Sequence, residues 1–320
     1  MQAHNPLIQL PAYHSPHWLI GGHLQTVYAK LLVRPAPNYR RELLPDSTGQ
    51  EQVAYDFIDA PHANAPLVVL FHGLEGSSHS HYAIELMHTV QAYGWHGVVA
   101  HFRSCGGVPA QKMYHSGDTL EVAHMLNLLA QRYPTIYAVG VSLGGNVLAK
   151  YLGEQGKQNQ SPIPQLAAII SAPLNLPASG KALQHGINRL LYSRYFLNSL
   201  LPKVPPRPDL TIRSLADFDN AYTAPLNGFA NKDDYYQQAA AQPYLPHINL
   251  PTLILNAQND PFLPAAYLPQ AQHISPTTYL LQPKHGGHVG FVAGKGRGHL
   301  RWLPETVLQF FTLTAQHPSS

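Results

Sequence analysis

The sequence predicts an α/β fold, a mostly parallel central sheet flanked by helices, with a helical cap inserted late in the chain. Three observations predict it. Short continuous apolar runs, such as 66–71 (PLVVLF) and 166–171 (LAAIIS), read as strands buried on both faces. Helical runs alternate with them, the order that gives parallel strands joined by right-handed crossovers. At the centre, the β-rich run Tyr137-Ala138-Val139 leads into Gly140-Val141-Ser142-Leu143-Gly144-Gly145 and a helical run from Asn146 to Glu154. A strand therefore turns straight into a helix around one serine.

The elements follow in order. Residues 1–35 are rich in Pro and His and poorly periodic; within them 17–26 reads as a segment held by packing of Trp18 and Leu24, with a short helix draped over the domain as the alternative. Residues 40–44 and 51–58 read as strands around the turn Asp46-Ser47-Thr48-Gly49. The strand at 66–71 runs into His72-Gly73-Leu74-Glu75-Gly76. A helix over 81–93, closed by Gly94, precedes a strand at 97–102. Leu120, Ala123, Leu126, Leu129 and Ala130 mark an amphipathic helix over 119–132 whose N-terminus Asp118 is placed to cap or to complement with its charge. After the serine turn and the strand at 166–171, residues 177–249 hold no buried strand. Helical pieces at 178–201, 214–223 and 233–241, with recurring aromatics, make this the cap. It divides a core of 1–176 and 250–320. Strands resume at 252–256 and 277–282, and a helix at 304–315 ends the chain.

Composition excludes several classes. With 45% hydrophobic and 12% charged residues the chain is globular, and a formal charge of +3 is too small to argue for nucleic acid. The single cysteine, Cys105, rules out an intramolecular disulfide framework and fits a reducing compartment. No stretch is apolar for long enough to span a membrane, and no basic segment leads into an apolar one at the start. A cytoplasmic protein is expected, with peripheral membrane contact left open and oligomeric state unread.

Gly140-Val141-Ser142-Leu143-Gly144 fits the nucleophile-elbow pattern G-x-S-x-G. Glycines flank the serine because side chains there would collide in so tight a turn. A serine nucleophile needs a base, and the base needs an acid. Asp260 follows the strand at 252–256, stiffened by Pro261, and His288 follows the next strand within His285-Gly286-Gly287-His288-Val289-Gly290-Phe291. Three candidates in the order Ser, acid, His, each after a strand, are the α/β-hydrolase arrangement. His285 is the rival base, and a two-His metal site lacks a carboxylate at ligand spacing, so no metal is expected. Cap carboxylates Asp217, Asp219, Asp233 and Asp234 follow no core strand. The backbone N–H groups of Leu74 and Leu143 are the expected oxyanion donors. Cys105 has no base placed for it, and Gly294-Lys295-Gly296-Arg297-Gly298 reads as a mobile basic loop rather than a phosphate site.

Taken together, the chain resembles the YheT-like branch of the α/β-hydrolase superfamily. The resemblance rests on His17-Trp18 with His23-Leu24-Gln25-Thr26, on His72-Gly73-Leu74-Glu75-Gly76, on Phe102-Arg103-Ser104-Cys105-Gly106-Gly107 and on His115-Ser116-Gly117. It continues through the elbow, Asp217-Phe218-Asp219, Thr223-Ala224-Pro225, Gly228-Phe229, Asp260-Pro261 and Gly287-His288-Val289-Gly290-Phe291. It implies a Ser/Asp/His triad at Ser142, Asp260 and His288 and activity on carboxylic or lipid-derived esters. His101-Phe102-Arg103-Ser104 departs from the usual Asn-Phe-Arg-Gly. The expectation is a cofactor-free serine hydrolase of short- or medium-chain acyl esters. A thioester or amide hydrolase, an acyltransferase, or a ligand-binding relative with little turnover remain the alternatives.

Overall fold

Among the described residues eight strands form, at the eight runs that the sequence marks. β1 (Arg40–Pro45) and β2 (Gln52–Ile58) make an antiparallel hairpin. β3 (Leu67–Phe71), β4 (His96–Ala100), β5 (Ile136–Val141), β6 (Leu166–Ile170), β7 (Thr252–Leu255) and β8 (Thr278–Leu281) follow. The sheet order is β1-β2-β4-β3-β5-β6-β7-β8, parallel from β4 to β8, with β2 antiparallel to β4. The chain is described as a computed structural model over residues 8–317; residues 1–7, part of the stretch read as lacking a leader, lie outside the described residues.

Every residue of β3, β4, β5 and β6 is buried, which is why these strands read as continuous apolar runs. Each large apolar side chain so buried contributes about 1.5–3 kcal/mol. The helices are α1 (Gly22–Tyr28), running on into a 3-10 turn Ala29–Leu32, α2 (His81–Ala92), α3 (Thr119–Ala130) and α4 (Leu143–Lys157). Between β6 and β7 come α5 (Leu176–Leu183), then α6 (Gly186–Asn188), which passes through a π turn into α7 (Arg194–Leu200). α8 (Leu215–Phe218) and α9 (Lys232–Ala239) complete this insert, and α10 (Trp302–Gln316) ends the core. α3 packs beside α4, and α2 beside α10. Among the described residues no helix is long and apolar enough to cross a membrane.

Two local expectations fail for one reason. Leu120, assigned to the buried face of α3, is 78% exposed, while Glu121, Val122, Met125, Leu126 and Leu129 point inward. Asp118 stands at the N-cap position but makes no capping bond. Arg103 takes both acids. Its guanidinium is fully buried and donates to Asp46 (2.7 Å), Asp118 (2.7 Å), Ser47 (2.7 Å) and Glu121. This draws Glu121 inside and turns the helix. Burial alone would raise the Asp46 pKa, but hydrogen bonds from Arg103 and Thr48 bring it down to about 2. Arg103→Met leaves three carboxylates without their cation. A loss of about 3–5 kcal/mol is expected in denaturant unfolding, and a loss below 1 kcal/mol would mean the network is dispensable.

Acid should weaken the fold through histidine first. His72 is fully buried; burial, then neighbouring His101, pushes its pKa down to about 3. Burial is also the main cause bringing His81 and His115 down to about 4. The unfolded value is about 6.5, so the unfolded chain binds these protons first. Their stabilisation is complete above pH about 6.5 and is lost as pH falls toward 4, at up to about 1.4 kcal/mol per pH unit for each. Asp46 adds its own loss only below about pH 4. Urea midpoints at pH 7, 6 and 5 should fall over the last step; a flat response would contradict the burial of neutral imidazoles.

Candidate active site

Ser142 sits between the C-terminal end of β5 and the first residue of α4, so the helix begins at once rather than at Asn146 as the sequence suggested. Its backbone is strained, with φ 53° and ψ −119°. The flanking glycines are required. A Cβ on Gly140 would lie 2.6 Å from the Gly144 carbonyl oxygen, and one on Gly144 would overlap the carbonyl oxygens of Phe71 and His72.

His288 Nε2 lies 2.9 Å from Ser142 Oγ. Its Nδ1 faces the Asp260 carboxylate, 3.0 Å from Oδ2 and 3.2 Å from Oδ1. A carboxylate only accepts, so Nδ1 carries the proton and Nε2 presents its lone pair to the serine. Asp260 is buried and also accepts the Phe262 N–H at 2.8 Å. The Phe262 ring stacks on the imidazole at 3.9 Å.

The turn after β3 lies beside the serine. Tyr82 Oη accepts the Gly73 N–H (2.9 Å) and Tyr114 Oη accepts the Glu75 N–H (2.7 Å). The Leu74 N–H between them has no partner among the described residues, and neither has that of Leu143. His72 holds this turn to the one after β4, donating from Nδ1 to Gly73 O and accepting the Phe102 N–H at Nε2. Buried Asn146 ties α4 to the loop before α3 through Ser116 O, and to the insert through Ala239 O and the Ala241 N–H.

The loop carrying His288 is held one backbone N–H at a time, by side chains from distant segments. Gly286 donates to Gln25 Oε1 (2.8 Å), Gly287 to Asn259 Oδ1 (3.0 Å), His288 to Thr26 Oγ1 (2.8 Å) and Val289 to Ser171 Oγ (3.1 Å). Asn259 Nδ2 also donates to Gln25 Oε1, so α1 joins the Asp260 loop to the His288 loop. His81 Nε2 donates to Val289 O. Nothing in the sequence around Gln25-Thr26 or Asn259 marks this role, and the segment 17–26 is expected there to be held by packing of Trp18 and Leu24. Those two are half exposed, and Leu19, Gln25 and Thr26 are the buried residues. Thr26→Val keeps the shape and removes the acceptor for the His288 N–H. It should lower kcat about ten- to a hundredfold with little change in KM, and Thr26→Ser should restore it; unchanged kcat in both would reduce the contact to scaffolding.

Two lobes open from Ser142. The inner one, about 110 Å³, lies beneath the insert and is largely apolar, with Leu176, Phe196, Leu200 and Phe218 among its walls. The outer one, about 540 Å³, is open and lined by Ser142, His288, Val27, Lys30, Leu191 and Tyr195. Asp219 borders the inner lobe, bonded to Thr223 and Tyr236, and burial raises its pKa to about 6. Asp217, Asp233 and Asp234 bond within the insert, away from Ser142.

The remaining candidates fall elsewhere. His285 is exposed and lines neither of the two lobes at Ser142. Among the described residues no three His, Cys, Asp or Glu side chains converge to hold a metal. Cys105 is buried, and burial pushes its thiol up to about 12. Residues 294–298, expected as a mobile loop, form a turn closed by the Ala293–His299 bridge, with Gly296 O accepting from Trp18 and Arg297 O from Tyr28.

A mostly parallel sheet with a serine at so sharp a strand–helix turn, facing a histidine from beyond the last strand, defines the α/β-hydrolase class. The chain belongs to this family, in its YheT-like branch. Residues 66–197 match the family model described as alpha/beta hydrolase fold. The chain is 36% identical over 318 residues to the Escherichia coli protein named "Putative esterase YheT", covering 91% of this chain and 90% of that one. It is 26% identical to human "Phospholipase ABHD3", over 99% of this chain and 82% of the relative. The structure of Est1E from Butyrivibrio proteoclasticus with ferulic acid bound superposes with a TM-score of 0.56 at 13% identity, over 88% of this chain and 100% of that one, a likeness of fold.

Proposed function

We propose that the protein hydrolyses carboxylic esters through an acyl-enzyme on Ser142. The observation that carries this reading is the chain Ser142–His288–Asp260 beside two unpartnered N–H groups. His288 takes the Ser142 proton as Oγ bonds to the ester carbonyl carbon. Asp260 keeps the imidazole in its Nδ1–H form and stabilises the imidazolium. The N–H groups of Leu74 and Leu143, the second at the positive end of α4, receive the oxyanion. The C–O bond breaks and the alcohol leaves with the proton from His288. Water, deprotonated by His288, then releases the acid and restores the serine. The chemistry as written calls for no cofactor.

The names of the relatives, an esterase and a phospholipase, support an ester substrate. The inner lobe suits the acyl group and the outer lobe the alcohol. A volume of about 110 Å³ is somewhat below the 150 Å³ or so that admits benzene. Turnover of p-nitrophenyl esters should therefore peak at short chains and fall for long ones. No turnover at any chain length would remove the ester reading.

A further inference from the structure

Exposed apolar side chains gather around the mouth of the outer lobe. On one side Leu24 and Val27 of α1 are flanked by Ile20, 77% exposed, and Leu31, 69% exposed. On the other, Ile187, Leu190, Leu191 and Tyr195 recur three or four residues apart along α6 and α7, Leu190 being 78% exposed. The two runs touch. His23 Nδ1 lies 3.2 Å from the Tyr192 hydroxyl, and Lys30 Nζ sits 3.9 Å from the centre of the Tyr195 ring. Val27, Lys30, Leu191 and Tyr195 form the rim of the lobe that leads to Ser142 and His288.

Charge is segregated in the same way. Residues 1–41, 155–208 and 261–304 hold fourteen of the twenty Lys and Arg and none of the seventeen Asp and Glu. These segments supply α1, the α6–α7 run and the basic turn at 294–298, which Trp18 and Tyr28 tie to α1. Lys30, Arg189, Arg194, Lys295 and Arg297 make no ion pair among the described residues. A contiguous apolar patch bordered by unpaired cations is the pattern of interfacial helices, whose apolar side chains enter the acyl boundary while cations meet headgroup phosphates. A second copy is a poor occupant, because it would bring like charges together.

We propose that this face docks the protein on an anionic lipid bilayer, with the mouth of the outer lobe turned toward the membrane. The orientation rests on the hydrolase reading; the binding does not. Co-sedimentation with mixed phosphatidylglycerol–phosphatidylcholine vesicles, and with phosphatidylcholine alone, tests it beside turnover of a water-soluble p-nitrophenyl ester. The protein should bind the mixed vesicles at least tenfold better than the neutral ones. Leu31→Ser with Leu190→Ser should weaken binding at least tenfold, and Arg189→Gln with Arg194→Gln about fivefold per arginine. None of these four residues lines the lobe, so soluble-ester turnover should be unchanged in both variants. Absence of vesicle binding, or binding that both variants retain in full, would overturn the proposal. Self-association in sedimentation velocity that Leu31→Ser with Leu190→Ser abolishes would assign the face to a second copy and overturn it too. Vesicle binding without ester turnover would uphold docking and remove the hydrolase reading alone.

Discussion

Ser142→Ala should lower kcat for a p-nitrophenyl ester by about 10⁶-fold while leaving the unfolding transition in place. The size follows from what the hydroxyl does. Without Oγ there is no covalent intermediate, and only the oxyanion donors and binding remain to speed direct attack by water. The fold should tolerate the change. Ser142 Oγ contacts His288, whereas the backbone of the turn is held by the Ser142 N–H on Ile170 O at 2.8 Å and by the Gly144 N–H on His72 O at 3.1 Å. Alanine carries the same Cβ into the same strained conformation. Activity assays beside denaturant melts separate the two effects, and turnover near that of the wild type would remove Ser142 from the chemistry.

Asp260→Asn should cost about 10⁴-fold in kcat, by analogy with triads generally. Asparagine fits the space and can still accept the Phe262 N–H. With that oxygen turned to Phe262, its amide presents N–H to His288 Nδ1, which then must accept. The imidazole proton moves to Nε2, and the lone pair that faced Ser142 is gone. KM should change little, because Asp260 is buried behind the histidine and lines neither lobe. A loss of less than tenfold would point to another acid.

Strands β3 to β7 were legible because their burial on both faces leaves few polar positions to blur the runs. The order Ser142, Asp260, His288 was legible because each follows a run that the sequence marks as a strand. The bracing of the His288 loop was not. Gln25, Thr26 and Asn259 act through side-chain bonds to loops, with Gln25 and Thr26 lying 261 and 262 positions from the N–H groups they hold. A polar residue in an aperiodic segment carries no mark of such a partner. The inward face of α3 was misread for a similar reason. Leu120 obeys helical spacing, but the pull of buried Arg103 on Glu121 decides which face turns in. Residues 294–298 read as a free basic loop because the Trp18 and Tyr28 contacts that tether them come from the far end of the chain.

The most direct test of the account is labelling of the folded protein with a fluorophosphonate, followed by mass spectrometry of the modified peptide. One phosphonylated residue is expected, Ser142, with labelling lost in Ser142→Ala and strongly slowed in Asp260→Asn. Label on another residue, or none on a folded protein, would contradict it.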